Sequence, residues 1–187
     1  MKQDLAALCL IGMTALTPGI SAGSTLREHG AHVHGTATLT VAIANQTLDV
    51  RLDSPAMNLV GFEHLPRSGE EQNAVSRAAQ QLRAPQTWLG LPAAAHCTVA
   101  SAAVESPLLG ANGTRDTSAA AGHGEHEHTD FEATYEFHCN APQQLTAIDV
   151  TLFDSFKGLM RIDAQWLTAA AQSSKLLTPA DHHLPLR

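Results

Sequence analysis

Cations are scarce in this sequence: 11 Lys and Arg stand against 18 Asp and Glu, for a formal net charge of −7. That balance argues against a nucleic-acid binder, which needs basic side chains to neutralise phosphates. Beyond the amino-terminal region no apolar run reaches the roughly 20 residues that a membrane-spanning helix requires. No membrane insertion of the mature chain is therefore expected. Signature motifs of catalysis are missing too. There is no H-E-x-x-H, no G-x-S-x-G, no phosphate-binding glycine loop and no C-x-x-C pair. A hydrolase assembled from dispersed His and Glu, with Glu63 as its base, finds no support in the spacing, and no enzyme is expected.

What is abundant is histidine, with 11 in 187 residues, alongside a hydrophobic content of 44%. The second figure provides for a real core, and the length suits one compact domain. The first raises metal binding, since neutral imidazole ligates zinc, copper and nickel.

The chain opens as a secretory signal would. Met1-Lys2 supply a short positive start, weakened by Asp4, and Leu5 to Leu16 is an apolar stretch too short to cross a bilayer. Pro18-Gly19 breaks it, and Ile20-Ser21-Ala22 offers a small residue for cleavage, so residues 1–22 are expected as a signal peptide. An amphipathic or buried amino-terminal helix is the alternative. Of the three cysteines, Cys9 would leave with the signal, and Cys97 and Cys139 would remain as a pair. In an oxidising compartment such a pair forms a disulfide; in a cytosolic protein it would be ligands or reactive thiols.

Ala37, Leu39, Val41 and Ile43 alternate with Thr36, Thr38, Thr40 and Ala42, which is the period of a strand with one buried face. Leu48, Val50 and Leu52 repeat the pattern, and a turn at Asn45-Gln46 would oppose Ile43 with Leu48, Val41 with Val50 and Leu39 with Leu52. Ser54-Pro55 should end that strand, with Met57 to His64 a compact connection. Ser68 and Glu71 fit a capping box ahead of Val75, Ala78, Ala79 and Leu82, which recur at helical spacing until Pro85. Trp88, Leu89 and Leu91 read as packing residues.

His96 to Glu105 and Phe131 to Cys139 read as strands. Paired antiparallel with Cys97 opposite Cys139, they bring Val99 to Phe137, Ser101 to Tyr135 and Ala103 to Ala133. Phe131, Tyr135 and Phe137 then share a face with Val99, so hydrophobic pattern and disulfide agree on one register. Leu145 to Phe153 is expected as a strand, as is the alternation of Met160, Ile162, Ala164 and Trp166, with Leu176-Leu177 a last short one. The fold expected is α+β, mostly antiparallel β with one main helix. Residues 23–187 form a single metal-binding domain in this reading. Its loop, Ser106 to Thr129, lacks apolar periodicity and is expected to be flexible.

Two segments share the pattern H-G-x-H-x-H: His29, His32 and His34, then His123, His126 and His128. Each precedes a stretch reading as two strands, which suggests duplicated β subdomains joined by the His-rich loop; coincidence is the alternative. If the Thr36 strand extends backward, His32 and His34 lie on its polar face with Val33 inward, close enough to converge on one zinc. His29, Glu28, His64 or water would complete the shell. The bland alternative is solvated histidines of no fixed geometry. The loop trio, with Glu125, Glu127 and Asp130, would form either a defined site or a promiscuous tract that loses chain entropy on binding. His96 and His138 read as exposed strand histidines, although either is near enough to a cysteine to contribute. His182 and His183 read as solvated. Zinc is preferred to copper because no methionine cluster or free thiolate favours Cu(I); nickel and Cu(II) stay open.

Arg27 to Gly35, followed by Ser54-Pro55-Ala56-Met57-Asn58-Leu59-Val60-Gly61-Phe62-Glu63-His64, resembles the zinc-regulated periplasmic zinc-binding proteins of the ZrgA type. The similarity continues through Leu91 to Cys97 and Leu177-Thr178-Pro179, with the Ser54–His64 block its specific part. The resemblance implies zinc binding in the periplasm of a Gram-negative bacterium, partnership with an ABC-type zinc importer, and a ligand role for His29, His32, His34 and His64. The expected function is zinc capture in support of that importer. The other readings are a β-rich envelope interaction module whose histidines are incidental, and a metal-dependent hydrolase. Imidazole must be neutral to ligate, so binding should weaken below roughly pH 6.

Overall fold

The computed structural model describes residues 33–110 and 129–186, all within a unit running from Ala31 to Arg187. Its first two strands are β1 (Thr36–Ala44) and β2 (Thr47–Pro55), joined at Asn45, which takes a left-handed φ of 55°. The register is the one the alternation predicts: Ile43 faces Leu48, Val41 faces Val50, and Leu39 faces Leu52. A slip by one residue would turn every one of these side chains to solvent, so burial fixes the pairing. β2 runs on through Ser54 and Pro55 instead of stopping before them; the missing amide of Pro55 falls at its last position, where it costs the ladder least.

A five-residue helix α1 (Ala56–Val60) follows directly and is closed by Gly61, whose φ of 85° is the left-handed turn that glycine adopts without strain. Helix α2 (Gly69–Leu82) starts at Ser68, whose hydroxyl accepts the Glu71 amide at 3.2 Å. The return half of the box is displaced by one residue: the Glu71 carboxylate accepts from Arg67 N at 2.6 Å. Val75, Ala78, Ala79 and Leu82 form its buried stripe, as their spacing predicts. The Tyr135 hydroxyl donates to Leu82 O at 2.9 Å, and Trp88 stands edge-on to the Tyr135 ring with centroids 5.6 Å apart.

The remaining elements are β3 (Leu89–Gly90), β4 (Cys97–Glu105), β5 (Asp130–Cys139), β6 (Ala147–Val150), α3 (Leu152–Ser155), β7 (Arg161–Leu167), β8 (Gln172–Leu177) and β9 (His183–Pro185). Six strands make one sheet in the order β4-β5-β2-β1-β7-β8, and three make a second in the order β3-β6-β9. Every pair is antiparallel except β1 with β7. The fold is α+β, dominated by antiparallel strands, with α2 the one substantial helix among the described residues.

Cys97 and Cys139 face each other at the start of the β4–β5 ladder and are bonded, 42 residues apart in sequence. Val99 meets Phe137 as expected, but the register then shifts: Ser101 lies opposite Glu136, Ala102 opposite Tyr135, and Val104 opposite Ala133. A bulge between Val99 and Ser101 turns Val104 inward in place of Ala103, which puts the larger apolar side chain into the core. Val99 itself is 41% exposed, because β4 is an edge strand.

Other expectations are adjusted. The strand expected over Leu145 to Phe153 is confined to β6, and Leu152 and Phe153 form a helical turn in which both are buried. Met160 precedes β7 and is exposed. The two H-G-x-H-x-H segments are not followed by equivalent strand pairs: β1 and β2 are a hairpin of the large sheet, whereas β5 and β6 belong to different sheets. The segment expected as a loop over Ser106 to Thr129 is built in at both ends, by the turn Pro107–Gly110 with Leu108 buried and by buried Thr129. The expected signal peptide, residues 1–22, lies outside the described residues. Among the described residues no helix is long and apolar enough to cross a membrane.

Candidate metal centre

Asn58 is a buried polar residue in a five-residue helix, and its side chain joins three segments. Its Oδ1 accepts the Gly35 amide at 2.6 Å, and its Nδ2 donates to Thr36 O at 2.9 Å and to Ser54 Oγ at 3.2 Å. Buried amides without partners are costly, so these bonds fix where the chain preceding β1 must run. Gly35 O accepts in turn from Met160 N at 2.8 Å and Arg161 N at 3.0 Å. A glycine is needed at 158 as well, since a Cβ there would lie 2.7 Å from Asn58 O.

This bracing overturns the expectation that β1 extends back through His32. Thr36 N donates to Val33 O at 3.0 Å, and Gly35 has φ of 81°, so residues 33–36 form a turn rather than a strand. Val33 is 54% exposed, not inward. The turn carries His34 toward the segment after α1, where its Nε2 lies 3.1 Å from Glu63 Oε1. Glu63 is anchored through its backbone: Thr129 Oγ1 donates to Glu63 O at 2.6 Å, and Thr129 O accepts from Ala56 N at 2.8 Å. Thus His34, the last histidine of the first motif, and Thr129, which follows His128 of the second, both meet the segment at Glu63.

His64 is held differently. Its ring stacks on Phe62, with centroids 5.0 Å apart and planes at 20°. Its Nδ1 lies 3.0 Å from Leu65 O, and a carbonyl only accepts, so Nδ1–H donates there. A metal-ligating imidazole is oriented in this way, by a backbone acceptor on one nitrogen, with the other nitrogen coordinating when the ring is neutral. His64 Nε2 is 3.9 Å from Glu71 Oε1.

The structure therefore presents two imidazole–carboxylate pairs, His34–Glu63 and His64–Glu71, borne on adjacent residues at Glu63 and His64. Among the described residues no group of three or more His, Cys, Asp or Glu is arranged to hold a metal ion. His29, His32, His123, His126 and His128 lie outside the described residues. His138 points from the outer face of β5, between Thr47 and Thr98 of the neighbouring strands. His96 caps a turn with φ of 49°, and His183 Nδ1 bonds Asp149 Oδ1 at 2.7 Å. None of these joins the two pairs. The roles of Asn58 and of Glu63 beside His34 were not foreseen, because both depend on contacts between residues more than 20 apart in sequence.

Fold and site together define an α+β domain that offers imidazole nitrogen and carboxylate oxygen, the donor set suited to a borderline divalent cation such as zinc. The chain matches the family described as ZrgA family zinc uptake protein over residues 31–186, and it belongs to that family. A comparison with the curated proteins found no match. Membership assigns the chain a role in zinc uptake.

Proposed function

We propose that this is a periplasmic zinc-binding protein, exported by its amino-terminal signal, that captures zinc and assists an ABC-type zinc uptake system. Zinc is the cargo. His29, His32 and His34 are its primary ligands, with His64 at hand on the neighbouring segment. His123, His126 and His128 collect further metal, and their segment ends at Thr129 beside Glu63. The protein carries the ion without transforming it, so no catalytic residue is assigned.

The observation that carries this reading is the bracing of the His34 turn by Asn58, which delivers the end of the first histidine motif to Glu63. A site with its ligands pre-positioned loses less chain entropy on binding than a free tract does. The Cys97–Cys139 disulfide suits an oxidising compartment. Native mass spectrometry of the mature protein with one equivalent of zinc tests the capture step: a retained ion that a chelator strips is expected, and an apo mass throughout contradicts it. Growth of the source bacterium under chelation, with and without the gene in an importer-deleted background, tests the partnership. If the importer is the recipient, the gene confers nothing once the importer is gone.

A further inference from the structure

We infer that Glu63 is itself a zinc ligand, sharing one ion with His34. The inference rests on the proposed zinc capture and names a donor outside the histidine set. Two donors bound at 2.0–2.1 Å to one tetrahedral zinc stand about 3.3 Å apart. His34 Nε2 and Glu63 Oε1 stand 3.1 Å apart, so both reach one ion with little adjustment. An ion shared by both would sit to one side of the line joining them and displace the proton of the hydrogen bond they make in the metal-free protein.

Both donors are held by their backbones before metal arrives. His34 sits in the turn whose Gly35 amide is bound by Asn58 and whose Gly35 carbonyl takes the Met160 and Arg161 amides. Glu63 follows the left-handed Gly61, and its own carbonyl is bound by Thr129 Oγ1. Such support is what fixes ligand geometry in a metal site. Both side chains are reachable from solvent, with His34 56% and Glu63 20% exposed. One carboxylate also lowers the charge of a site that imidazoles alone would leave at +2, and that favours retention of a dication against water.

Glu63→Gln separates a ligand from an orienting residue, since the amide oxygen still accepts a hydrogen bond from His34 but is a poor zinc donor. Zinc affinity of the full mature chain is read by competition with a chromophoric chelator, and coordination by the visible absorption of the cobalt(II)-substituted protein. Removal of an orienting partner costs about 10–100-fold in metal affinity, so loss of a direct ligand is expected to reach or exceed about 100-fold. The cobalt bands should shift as water replaces the carboxylate. Circular dichroism of Glu63→Gln should match wild type, because the substitution leaves the backbone bond to Thr129 in place. Wild-type affinity in Glu63→Gln, or weakened binding with unchanged cobalt bands, overturns the assignment while leaving zinc capture standing. A wild-type protein that takes up no zinc overturns both.

Discussion

Asn58 and Gly35, 23 residues apart, are joined by a 2.6 Å hydrogen bond that ends the first histidine motif where the segment bearing Glu63 and His64 begins. Position there is set by a neutral buried amide rather than by charge, so it is insensitive to salt and to mild acid. Everything that follows about zinc depends on this brace holding in the metal-free protein.

Asn58→Ala removes all three side-chain bonds and strands the Gly35 amide and Thr36 carbonyl. A loss of about 1–3 kcal/mol in urea denaturation is expected for two part-buried groups left unpaired. Zinc affinity should fall in the same variant under conditions where it remains folded. Unchanged stability would mean the brace is not made in solution.

Gly158→Ala tests the same junction from its other side. The added Cβ would approach Asn58 O to 2.7 Å, against backbone that cannot rotate away. A cost of about 1–3 kcal/mol is expected, the usual range for overpacking, read as a lower melting temperature. Wild-type melting would show that the α1 segment has room to shift.

Reduction of Cys97–Cys139 frees a loop that closes over a separation of 42 residues. By chain entropy, the reduced protein or Cys97→Ser with Cys139→Ser should be less stable by up to about 4 kcal/mol. Zinc binding of the folded fraction should survive, since neither cysteine touches His34, Glu63 or His64. Loss of zinc affinity on reduction, with the fold intact, would place the cysteines in the site.

Tyr135 is the sole tyrosine, which makes its ionisation readable by ultraviolet absorbance. Burial pushes its phenol above the ordinary value of about 10. A group held protonated in the folded state stabilises fully below its unfolded pKa, and that stability is lost as pH rises past it. Unfolding should therefore become easier above about pH 10, with phenolate appearing only as the chain opens. A reversible midpoint near 10 in the native protein would contradict the burial. Tyr135→Phe, which deletes the bond to Leu82 O, should cost about 1 kcal/mol.

Much of this architecture is legible in the sequence where one local pattern suffices. The β1–β2 register follows from alternation about Asn45-Gln46, the α2 stripe from helical spacing after Ser68, and the disulfide from the pairing of two strands. What escapes is set by distant neighbours. Nothing in the small residues around Ala100 marks a bulge, yet the core selects Val104 over Ala103 and the ladder yields. The parallel pairing of β1 with β7 joins residues more than 100 apart, beyond any local signal. Gly35 was the legible hint that β1 starts at Thr36, since a glycine before a strand is often a turn. Asn58 reads only as a polar residue in a short connection until Gly35, Thr36, Ser54 and Gly158 are placed around it.

The most direct measurement is calorimetric zinc titration of the mature protein beside a variant carrying His29→Ala, His32→Ala and His34→Ala. The wild type should take up zinc at a defined stoichiometry, and the variant should lose its tightest equivalent while keeping the same circular dichroism. Undiminished stoichiometry and affinity in the variant would contradict the account, because the ion would then be held by groups other than the three imidazoles of the first motif.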